Sequence, residues 1–312
     1  MPESSSATLL LIDANALVHR AFHALPPLTA RDGRPVQALY GISSILLKIV
    51  REDGPEYAVA CFDRPEPTFR KERYAAYKAQ RPPTPDALIS QIVEAHELFS
   101  RFGIRVLEKP GYEGDDLIAT VAERFRSEQG VRVVILTGDL DTLQLVEGEK
   151  VVVRTFRKGV SDTVTYGEEA VVARYGLKPS QLTDYKALIG DPSDNVKGVP
   201  GVGPKTAAQL LEQFGSLENF YARADQDQKI KEKLVPFHEQ VLFSKSLVTL
   251  ERNVPIPVGA LDGFKVKSDE GRLRQYFGEL GFETLMKRLD GSGAAPRSNG
   301  TRGKQARQGK IF

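Results

Sequence analysis

The sequence predicts an α/β domain with a mostly parallel central sheet flanked by helices, followed by a second, helical domain. Short apolar runs of strand length alternate with amphipathic segments of helical period, which is typical of strand–helix–strand units around a parallel sheet. The runs are continuously apolar, as expected for strands buried on both faces. After about residue 176 the strand pattern fades and helical segments dominate.

The predicted elements follow in order along the first 176 residues. Apolar residues three or four positions apart place one side of each helix against the sheet. Strands are predicted at Leu9–Ile12, Ala58–Phe62, Arg105–Leu107, Val131–Leu136 and Val151–Arg154, and helices over Leu39–Ile49, Leu88–Phe99 and Leu117–Phe125.

Three units are predicted along the chain. Residues 1–176 form the α/β domain, residues 177–290 form the helical domain, and residues 291–312 form a disordered basic tail. The tail is rich in Gly, Ser, Ala and Arg, lacks apolar periodicity, and holds five basic residues and no acid. Helices of the second domain are predicted at Gln181–Ile189, at Pro204–Phe214, in a lysine-rich stretch from Lys229, and at Arg272–Leu289.

Composition excludes several classes of protein. A single cysteine, Cys61, can form no internal disulfide and no Cys-based zinc site. The N-terminal apolar run stops at Asp13, far short of a signal peptide or a membrane span. We therefore expect a cytoplasmic protein with no membrane partner.

Charge is unevenly distributed although the formal net charge is only +2. Residues 64–81 hold six basic and two acidic residues, whereas acids concentrate elsewhere in short clusters. Segregation of this kind suits a protein that holds cations in one place and phosphates in another.

Nine acids fall at predicted strand ends, helix starts or loops. Ligands of a parallel α/β sheet bind beyond the carboxyl ends of its strands. Converging carboxylates would raise one another's pKa, and divalent cations relieve that repulsion. Oxygen ligands with no Cys and little His indicate Mg²⁺ or Mn²⁺. The acids are Asp13, Asp63, Glu113, Asp115, Asp116, Asp139, Asp141, Asp191 and Asp194.

Each acid, taken alone, has a structural alternative. Asp115 or Asp116 would cap the helix that follows, and Asp63, Asp139 or Asp191 would form turns. The joint pattern favours a metal site, because four separate strand or loop ends would otherwise have acquired acids by chance.

These motifs resemble the 5′ nuclease (flap endonuclease) superfamily, and closely the 5′-nuclease domain of bacterial DNA polymerase I. The resemblance covers about residues 8–290 and implies a PIN-like fold with a metal-dependent 5′→3′ exonuclease and flap endonuclease activity. It is carried by Leu10–Asp13, His19–Ala24, Phe62–Asp63, Phe69–Arg70, Tyr77–Lys78, Gly111–Asp116, Thr137–Asp141, Gly190–Asn195 and Gly198–Thr206.

The resemblance implies that all nine acids belong to the metal site of an active enzyme, with residues 1–176 as its catalytic domain. We expect two-metal phosphodiester hydrolysis. The inner ligands would be Asp13, Asp63, Glu113, Asp115 and Asp116, the second site would use Asp139, Asp141 and Asp191, and Asp194 would act through water. Because the chain stops at Phe312, where polymerases continue, we expect a free-standing nuclease, with a truncated piece as the alternative. We also expect it to be a monomer.

The basic stretch that directly follows Asp63 must begin at the proposed metal site, and the resemblance implies that residues 64–85 form a helical arch over the active site. Positive side chains track phosphates and aromatic rings stack on unpaired bases, although a bare positive helix is usually a solvated face. By the resemblance, Lys78 and Arg81 reach the scissile phosphate, and Arg70 and Tyr77 help to hold the substrate.

A helix-hairpin-helix is predicted at residues 188–214, around the glycine-rich run from Gly198. Glycines permit positive φ and close backbone approach, and amides at a helix start bind phosphate. A plain helix–turn–helix connection is the alternative. The resemblance implies non-specific binding to the duplex backbone, often with K⁺ at the hairpin carbonyls, and the predicted DNA contacts are Gly201, Gly203, Lys205 and Thr206.

Two weaker signals remain. Arg20 is a candidate phosphate contact on a helix that also carries His19 and His23, a pair for which packing is favoured over metal binding. The last residues resemble the motif with which bacterial replication proteins dock on the sliding clamp, although a random tail or weak DNA attraction is equally simple. The candidate clamp contacts are Gln308, Ile311 and Phe312.

The predicted function is cleavage of DNA with 5′ flaps, nicks or free 5′ ends, in primer removal or repair. One rival is a ribonuclease on a related acidic α/β fold, against which the basic arch and the hairpin argue. Another is a non-catalytic DNA-structure binder, which the intact set of acids disfavours.

Overall fold

A computed structural model describes residues 6–159, 162–223, 232 and 234–290 of the protein. Six strands form one sheet in the order β3-β2-β1-β4-β5-β6. The first five strands pair in parallel and β6 pairs antiparallel to β5. The predicted fold class, a mostly parallel sheet flanked by helices with a helical domain, is confirmed.

The strands are β1 Ala7–Asp13, β2 Tyr57–Phe62, β3 Arg105–Glu108, β4 Val131–Leu136, β5 Val151–Lys158 and β6 Asp162–Tyr166, with a small separate pair, β7 Gly190–Asp191 and β8 Val196–Lys197. The helices are α1 Ala14–Ala24, α2 Gln37–Glu52, α3 Phe69–Arg73, α4 Asp86–Arg101, α5 Gly114–Phe125, α6 Glu168–Tyr175, α7 Leu182–Ile189, α8 Pro204–Phe214, α9 Leu217–Ala222, α10 His238–Val248, α11 Glu270–Leu280 and α12 Glu283–Leu289. Short 3₁₀ helices lie at Leu140–Leu145, Pro179–Gln181, Val235–Phe237 and Leu261–Phe264.

The central strand β1 is buried on both faces, which explains its uninterrupted apolar sequence. Leu9 and Leu11 contribute to one buried cluster, together with apolar residues of α5 and of the helical domain. Leu10 and Ile12 contribute to another cluster on the opposite face, with residues of α1, α2 and α4. The sheet therefore separates two layers, and the helical domain joins only one of them.

The five predicted strands are all present, but β6 was not predicted. Its residues alternate between half-buried and exposed positions and it pairs only with β5, at the edge of the sheet. An antiparallel edge strand of this kind lacks the continuous apolar run by which the buried strands were recognised.

The predicted arch, residues 64–85, contains one five-residue helix, α3, followed by turns over residues 75–80. Between residues 64 and 85, the predicted helical arch therefore consists of one short helix and a series of turns. Pro82, Pro83 and Pro85 restrict the backbone and delay the next helix until Asp86.

The last two helices correct the predicted extent of the helical domain. Phe277 of α11 packs against Phe102, and Phe282, just before α12, packs against Tyr40 of α2. Both phenylalanines belong to the cluster on the α1, α2 and α4 side of the sheet. Residues 270–289 thus complete the α/β domain, because their apolar face covers helices that would otherwise expose theirs.

In the helical domain, α10 packs beside α7 and the β7–β8 pair. Its Gln240 side chain donates to the carbonyl of Gly198 at 3.0 Å, and the Ser244 hydroxyl donates to that of Lys197 at 2.8 Å. The connection between α7 and α8 is therefore held by α10. Among the residues that the structure describes, no helix is long and apolar enough to cross a membrane.

Candidate functional site

The carboxyl ends of β1 and β2 place two aspartates side by side. The Asp13 carboxylate accepts hydrogen bonds from the Ala16 amide at 2.9 Å and from the Thr137 hydroxyl at 2.6 Å. The Asp63 carboxylate accepts from the Gly114 amide at 2.6 Å, at the start of α5. Neutral donors orient both carboxylates and leave their negative charge uncompensated.

Asp115 lies at the start of α5 and faces both aspartates. Burial, and then the charges of Asp13, Asp139 and Asp63, raise the pKa of Asp115 well above its ordinary value. Its Oδ1 atom is buried and has no hydrogen-bond partner among the described residues. A buried carboxylate oxygen without a donor is costly unless a cation or a proton satisfies it.

The same electrostatic strain extends to Asp13. Burial raises the pKa of Asp13 to about 7, and Asp63 and Asp139 add to that rise, although the hydrogen bonds from Thr137 and Ala16 oppose it. We define Asp13, Asp63 and Asp115 as the first acidic cluster. Its members come from three separate elements, and its chemistry favours an oxygen-binding divalent cation.

A second acidic cluster consists of Asp141, Asp191 and Asp194. One carboxylate oxygen from each lies within 4.8 Å of the others, so together they could hold a metal ion. The Lys186 ammonium donates to the Asp141 carboxylate, and to that of Asp191 at 2.7 Å. Burial and the charge of Asp139 raise the pKa of Asp141 to about 7, while Lys186 opposes the rise.

Asp139 and Glu113 connect the two clusters. The Asp139 carboxylate accepts from the Asp141 amide at 2.8 Å and also acts electrostatically on Asp13 and Asp115. Glu113 caps α5. Electrostatic contacts and hydrogen bonds therefore link the predicted acids into one neighbourhood, with Asp116 as the exception. We call the region among these acids the cleft.

Three residues of the predicted arch cover this cleft. The Lys78 ammonium lies 2.9 Å from Glu113 and 3.8 Å from Asp194. The Arg81 guanidinium lies 2.6 Å from Asp194. The Tyr77 hydroxyl lies 3.0 Å from Asp194 and 3.2 Å from Glu113, so its single hydrogen can be donated to either carboxylate. Lys78 has a φ of 53°, which turns the chain back over the acids.

Asp116 and Arg70 contradict their predicted roles. Asp116 is completely buried and Arg70 is 1% exposed. The guanidinium donates two hydrogen bonds of 2.7 Å to the two oxygens of Asp116. Asp116 is therefore not placed as an inner metal ligand, and Arg70 is not placed to hold a substrate, because each already serves as the other's buried partner.

Arg20 lies at the β5–β6 hairpin and makes no described contact with the acids. Its Nε donates to the carbonyl of Gly159 at 2.6 Å, and its guanidinium lies 4.8 Å from the centre of the Phe156 ring. The rings of His19 and His23 are 6.4 Å apart. The predicted clamp contacts Gln308, Ile311 and Phe312 lie outside the described residues.

The predicted hairpin has the geometry expected from its glycines. Gly201 adopts a φ of 73°. A Cβ added to Gly198 would lie 2.2 Å from the carbonyl carbon of Ile189, so only glycine fits there. Gly201, Gly203 and Lys205 are exposed and Thr206 is half-buried. The N-terminus of α8, which has no side-chain cap, thus faces outward.

Sequence reasoning missed three polar residues of the site: Asn15, Thr137 and Lys186. Asn15 accepts from the Asp63 amide at 3.2 Å, and Thr137 holds Asp13. Thr137 directly follows β4 in the same motif as Asp139, which was the available signal. Lys186 carried none, because a lysine within a helix usually faces solvent.

Comparison with known proteins gives two family matches. The 5′-3′ exonuclease N-terminal resolvase-like domain matches residues 8–176, and the 5′-3′ exonuclease C-terminal SAM fold matches residues 177–271. The chain is 38% identical over 283 residues to a 5′-3′ exonuclease of Aquifex aeolicus, covering 91% of this chain and 95% of that protein. It is 40% identical over 291 residues to DNA polymerase I of Mycobacterium bovis, covering 92% of this chain but only 32% of the polymerase.

Solved structures share the fold at low sequence identity. The zinc-bound T5 5′-exonuclease aligns with a TM-score of 0.61 at 20% identity, over 90% of this chain and 96% of that chain. The catalytic core of Rad2 in complex with DNA substrate aligns with a TM-score of 0.58 at 19% identity, over 92% of this chain and 94% of that chain. The fold and the family matches define a hydrolase of the nuclease class. More particularly, the chain belongs to the 5′-3′ exonuclease family.

Proposed function

We propose that the protein is a structure-specific 5′→3′ DNA exonuclease and flap endonuclease that acts by two-metal-ion catalysis. The observation that carries the proposal is the convergence of two acidic clusters on one cleft beneath Lys78 and Arg81. The relative from Aquifex aeolicus that is named a 5′-3′ exonuclease supports the reaction class.

The carboxylate oxygens of the second acidic cluster are close enough together to hold a divalent cation, and the first acidic cluster is proposed as a cation site because its carboxylates are buried and repel one another. The unpartnered Oδ1 of Asp115 provides a ligand atom that no protein donor uses among the described residues. Asp13, Asp63, Glu113 and Asp115 would hold one ion. Asp141, Asp191 and Asp194 would hold another, with Asp139 between them. When bound, Mg²⁺ or Mn²⁺ supplies an activated water and neutralises charge on the phosphate oxygens.

Lys78 and Arg81 act on the phosphate. Lys78 is held over the cleft by Glu113, and Arg81 is held by Asp194. The charged side chains of Lys78 and Arg81 can turn toward a phosphate that enters between the clusters. There they stabilise the negative charge that develops during hydrolysis. The Tyr77 hydroxyl lies within hydrogen-bonding distance of Glu113 and Asp194 and holds these two side chains in position relative to each other. The product carries a 5′-phosphate.

The hairpin binds the duplex. The exposed amides at the start of α8 and the Lys205 ammonium would contact backbone phosphates without reading sequence. Gly201, Gly203 and Thr206 allow the close approach, and the hairpin carbonyls would accept K⁺. This grip leaves the 5′ strand free to enter the cleft.

The biological context is proposed from the relatives. The chain spans about a third of the length of the polymerases it matches. Its biological role is therefore a proposal, and we propose primer removal or DNA repair. A monomer in the cytoplasm that docks on a sliding clamp through Gln308, Ile311 and Phe312 would suit that role.

A 5′-labelled flap annealed to a duplex tests the proposal. The protein should release the flap only when Mg²⁺ is added, at or within a few nucleotides of the junction, and should leave single-stranded RNA of the same sequence largely intact. The variant Asp115→Asn should be inactive. Asp262→Asn, at an exposed position, serves as its matched control. Magnesium-independent cleavage, or no cleavage of any DNA, would refute it.

A further inference from the structure

Arg70 is a fully engaged, buried arginine at the base of the predicted arch. Besides its two bonds to Asp116, its Nε donates to the carbonyl of Leu247 at 2.8 Å, and its Nη2 donates to that of Thr249 at 2.9 Å. Both carbonyls lie at the C-terminal end of α10. A phosphate would have to displace buried partners to reach this guanidinium, which the desolvation cost opposes.

Asp116 is equally engaged from its side. Its Oδ2 also accepts from the Glu113 amide at 3.1 Å, and its Oδ1 accepts from the Glu251 amide at 2.8 Å. Together with Arg70, these donors supply four hydrogen bonds to two oxygens that no solvent reaches. Its immediate neighbour Asp115 differs in having a buried oxygen for which the described part of the chain offers no hydrogen-bond partner. Adjacent acids of one helix start therefore have opposite environments.

We propose that the Arg70–Asp116 pair is a positioning latch that fixes three parts of the site against one another. The parts are the arch base at α3, the start of α5 that carries Glu113 and Asp115, and the segment 247–251 that follows α10. The inference rests on the proposed function, because its purpose is to set Lys78 at the correct distance from the metal-binding acids.

The chain connections show how the latch acts. Seven residues after Arg70, the Tyr77 hydroxyl bonds Glu113, whose own amide is held by Asp116. Tyr77 also packs with Leu247 and Val248, whose backbone region Arg70 holds. Arg70 and Asp116 thus close a loop of contacts around Lys78, and neither needs to touch the substrate.

The latch also joins the site to the hairpin. The α10 helix bonds the carbonyls of Lys197 and Gly198 through Ser244 and Gln240. The opposite end of α10 is gripped by Arg70. Helix α10 therefore fixes the position of a duplex bound at the hairpin relative to the arch base.

Replacement of both partners by apolar residues of similar size isolates the latch. Removing one partner alone would leave a buried charge unpaired, whereas a buried pair exchanged for packed apolar side chains is often neutral for stability. The variant is therefore Arg70→Met/Asp116→Leu. The control is Arg132→Met/Glu149→Leu, an exposed pair whose Arg132 lies near the amino end of β4, away from the acids.

We expect three results for the latch variant. It binds the same number of Mn²⁺ ions as wild type in calorimetry, and it binds a flapped duplex in EDTA within about threefold of wild type. Its kcat on saturating flap falls by about tenfold or more, because misplacement of about 1 Å is costly in a preorganised site. The control variant keeps all three values.

Different outcomes overturn the inference in different ways. Loss of one Mn²⁺ ion would make Asp116 a ligand after all. A weaker duplex affinity with a smaller salt dependence would make Arg70 a phosphate contact. An unchanged kcat would remove the latch altogether. If wild type itself fails to cleave, the proposed function falls, whereas the ion count still decides the role of Asp116.

Arg70→Lys supports the test if the double variant does not fold. Lysine keeps the charge beside Asp116 but cannot bond two carboxylate oxygens and two carbonyls together. We expect an intermediate loss of kcat at an unchanged ion count and an unchanged KM. Wild-type kcat in Arg70→Lys would contradict the latch.

Discussion

The two acidic clusters of the cleft are built from the same residue type but are compensated differently. Asp13 and Asp63 are oriented by neutral donors, and Asp115 keeps an oxygen with no donor among the described residues. In the second cluster, Lys186 bonds Asp141 and Asp191, and Arg81 bonds Asp194.

The difference concerns the charge that each cluster leaves for an incoming cation. Among the described residues, Asp13, Asp63 and Asp115 form no ion pair with a lysine or an arginine, so a divalent ion there competes mainly with protons, whose binding the raised pKa values of Asp13 and Asp115 favour. An ion entering the second cluster must displace an ammonium or a guanidinium. The first cluster should therefore bind metal more tightly than the second.

Among the variants that test the difference between the two acidic clusters, Asp115→Asn is expected to have the largest effect. Removal of the central charge of the first cluster should reduce flap cleavage by about 10³-fold or more, because catalytic groups acting as a unit are lost together. The same variant should unfold at a higher temperature than wild type in EDTA, because it relieves the repulsion from Asp13 and Asp63. Cleavage rates and thermal melts check both, and a lower melting temperature in EDTA would contradict the account.

Lys78→Ala tests the residue that lies between the two acidic clusters. Lys78 contacts Glu113 and Asp194 and is placed to stabilise the phosphate. We expect kcat to fall by roughly 10²-fold, while duplex affinity changes by less than about threefold. Exposed Lys178 provides the control Lys178→Ala. Equal losses in cleavage and binding would contradict this role.

The pH dependence of stability tests the charge balance without DNA. The pKa values of Asp13 and Asp141 are raised from 3.8 to about 7 in the folded protein. A raised pKa of this kind contributes stability below the unfolded value, and that stability is lost as pH rises through the folded value. In EDTA, the free energy of unfolding should fall by a few kcal/mol, to order of magnitude, between about pH 4 and pH 8.

Added Mg²⁺ should reverse that fall, because only the ionised carboxylates bind it. Denaturant titrations at several pH values, with and without Mg²⁺, measure both effects. In Asp115→Asn, the gain in the free energy of unfolding on adding Mg²⁺ should be smaller than in wild type. Stability that is constant over this pH range in EDTA would contradict the assignment of the clusters.

The smallest expected effect is at the hairpin. Lys205→Ala should weaken duplex binding by about 1 kcal/mol for every sequence and reduce the slope of log affinity against log salt by about 1, leaving kcat on saturating flap unchanged. Fluorescence anisotropy at several salt concentrations measures this. Sequence-dependent losses would indicate base contacts instead.

The strand ends were predictable from sequence because burial on both faces produces continuous apolar runs, and the runs of β1 and β2 are followed directly by an aspartate. Asp13 and Asp63 follow directly from that rule. Asp139 and Asp141 lie just beyond the end of β4. The topology of parallel strands was enough to bring these residues to one edge.

The remaining features depend on tertiary contacts that leave little local pattern. Arg70 and Asp116 are 46 positions apart, and either one reads locally as a site residue. Lys186 resembles any helical lysine until α7 places it between Asp141 and Asp191. The return of α11 and α12 to the α/β domain depends on Phe277 and Phe282 meeting a complementary surface.

Calorimetric titration of the metal-free protein with Mn²⁺ tests the central claim most directly. Wild type should show a tight and a weak class of ions, with Asp115→Asn losing the tight class and Lys186→Met tightening the weak class by roughly tenfold, since its competing ammonium is gone. Retention of the tight class in Asp115→Asn would contradict the claim that the first cluster is the principal metal site.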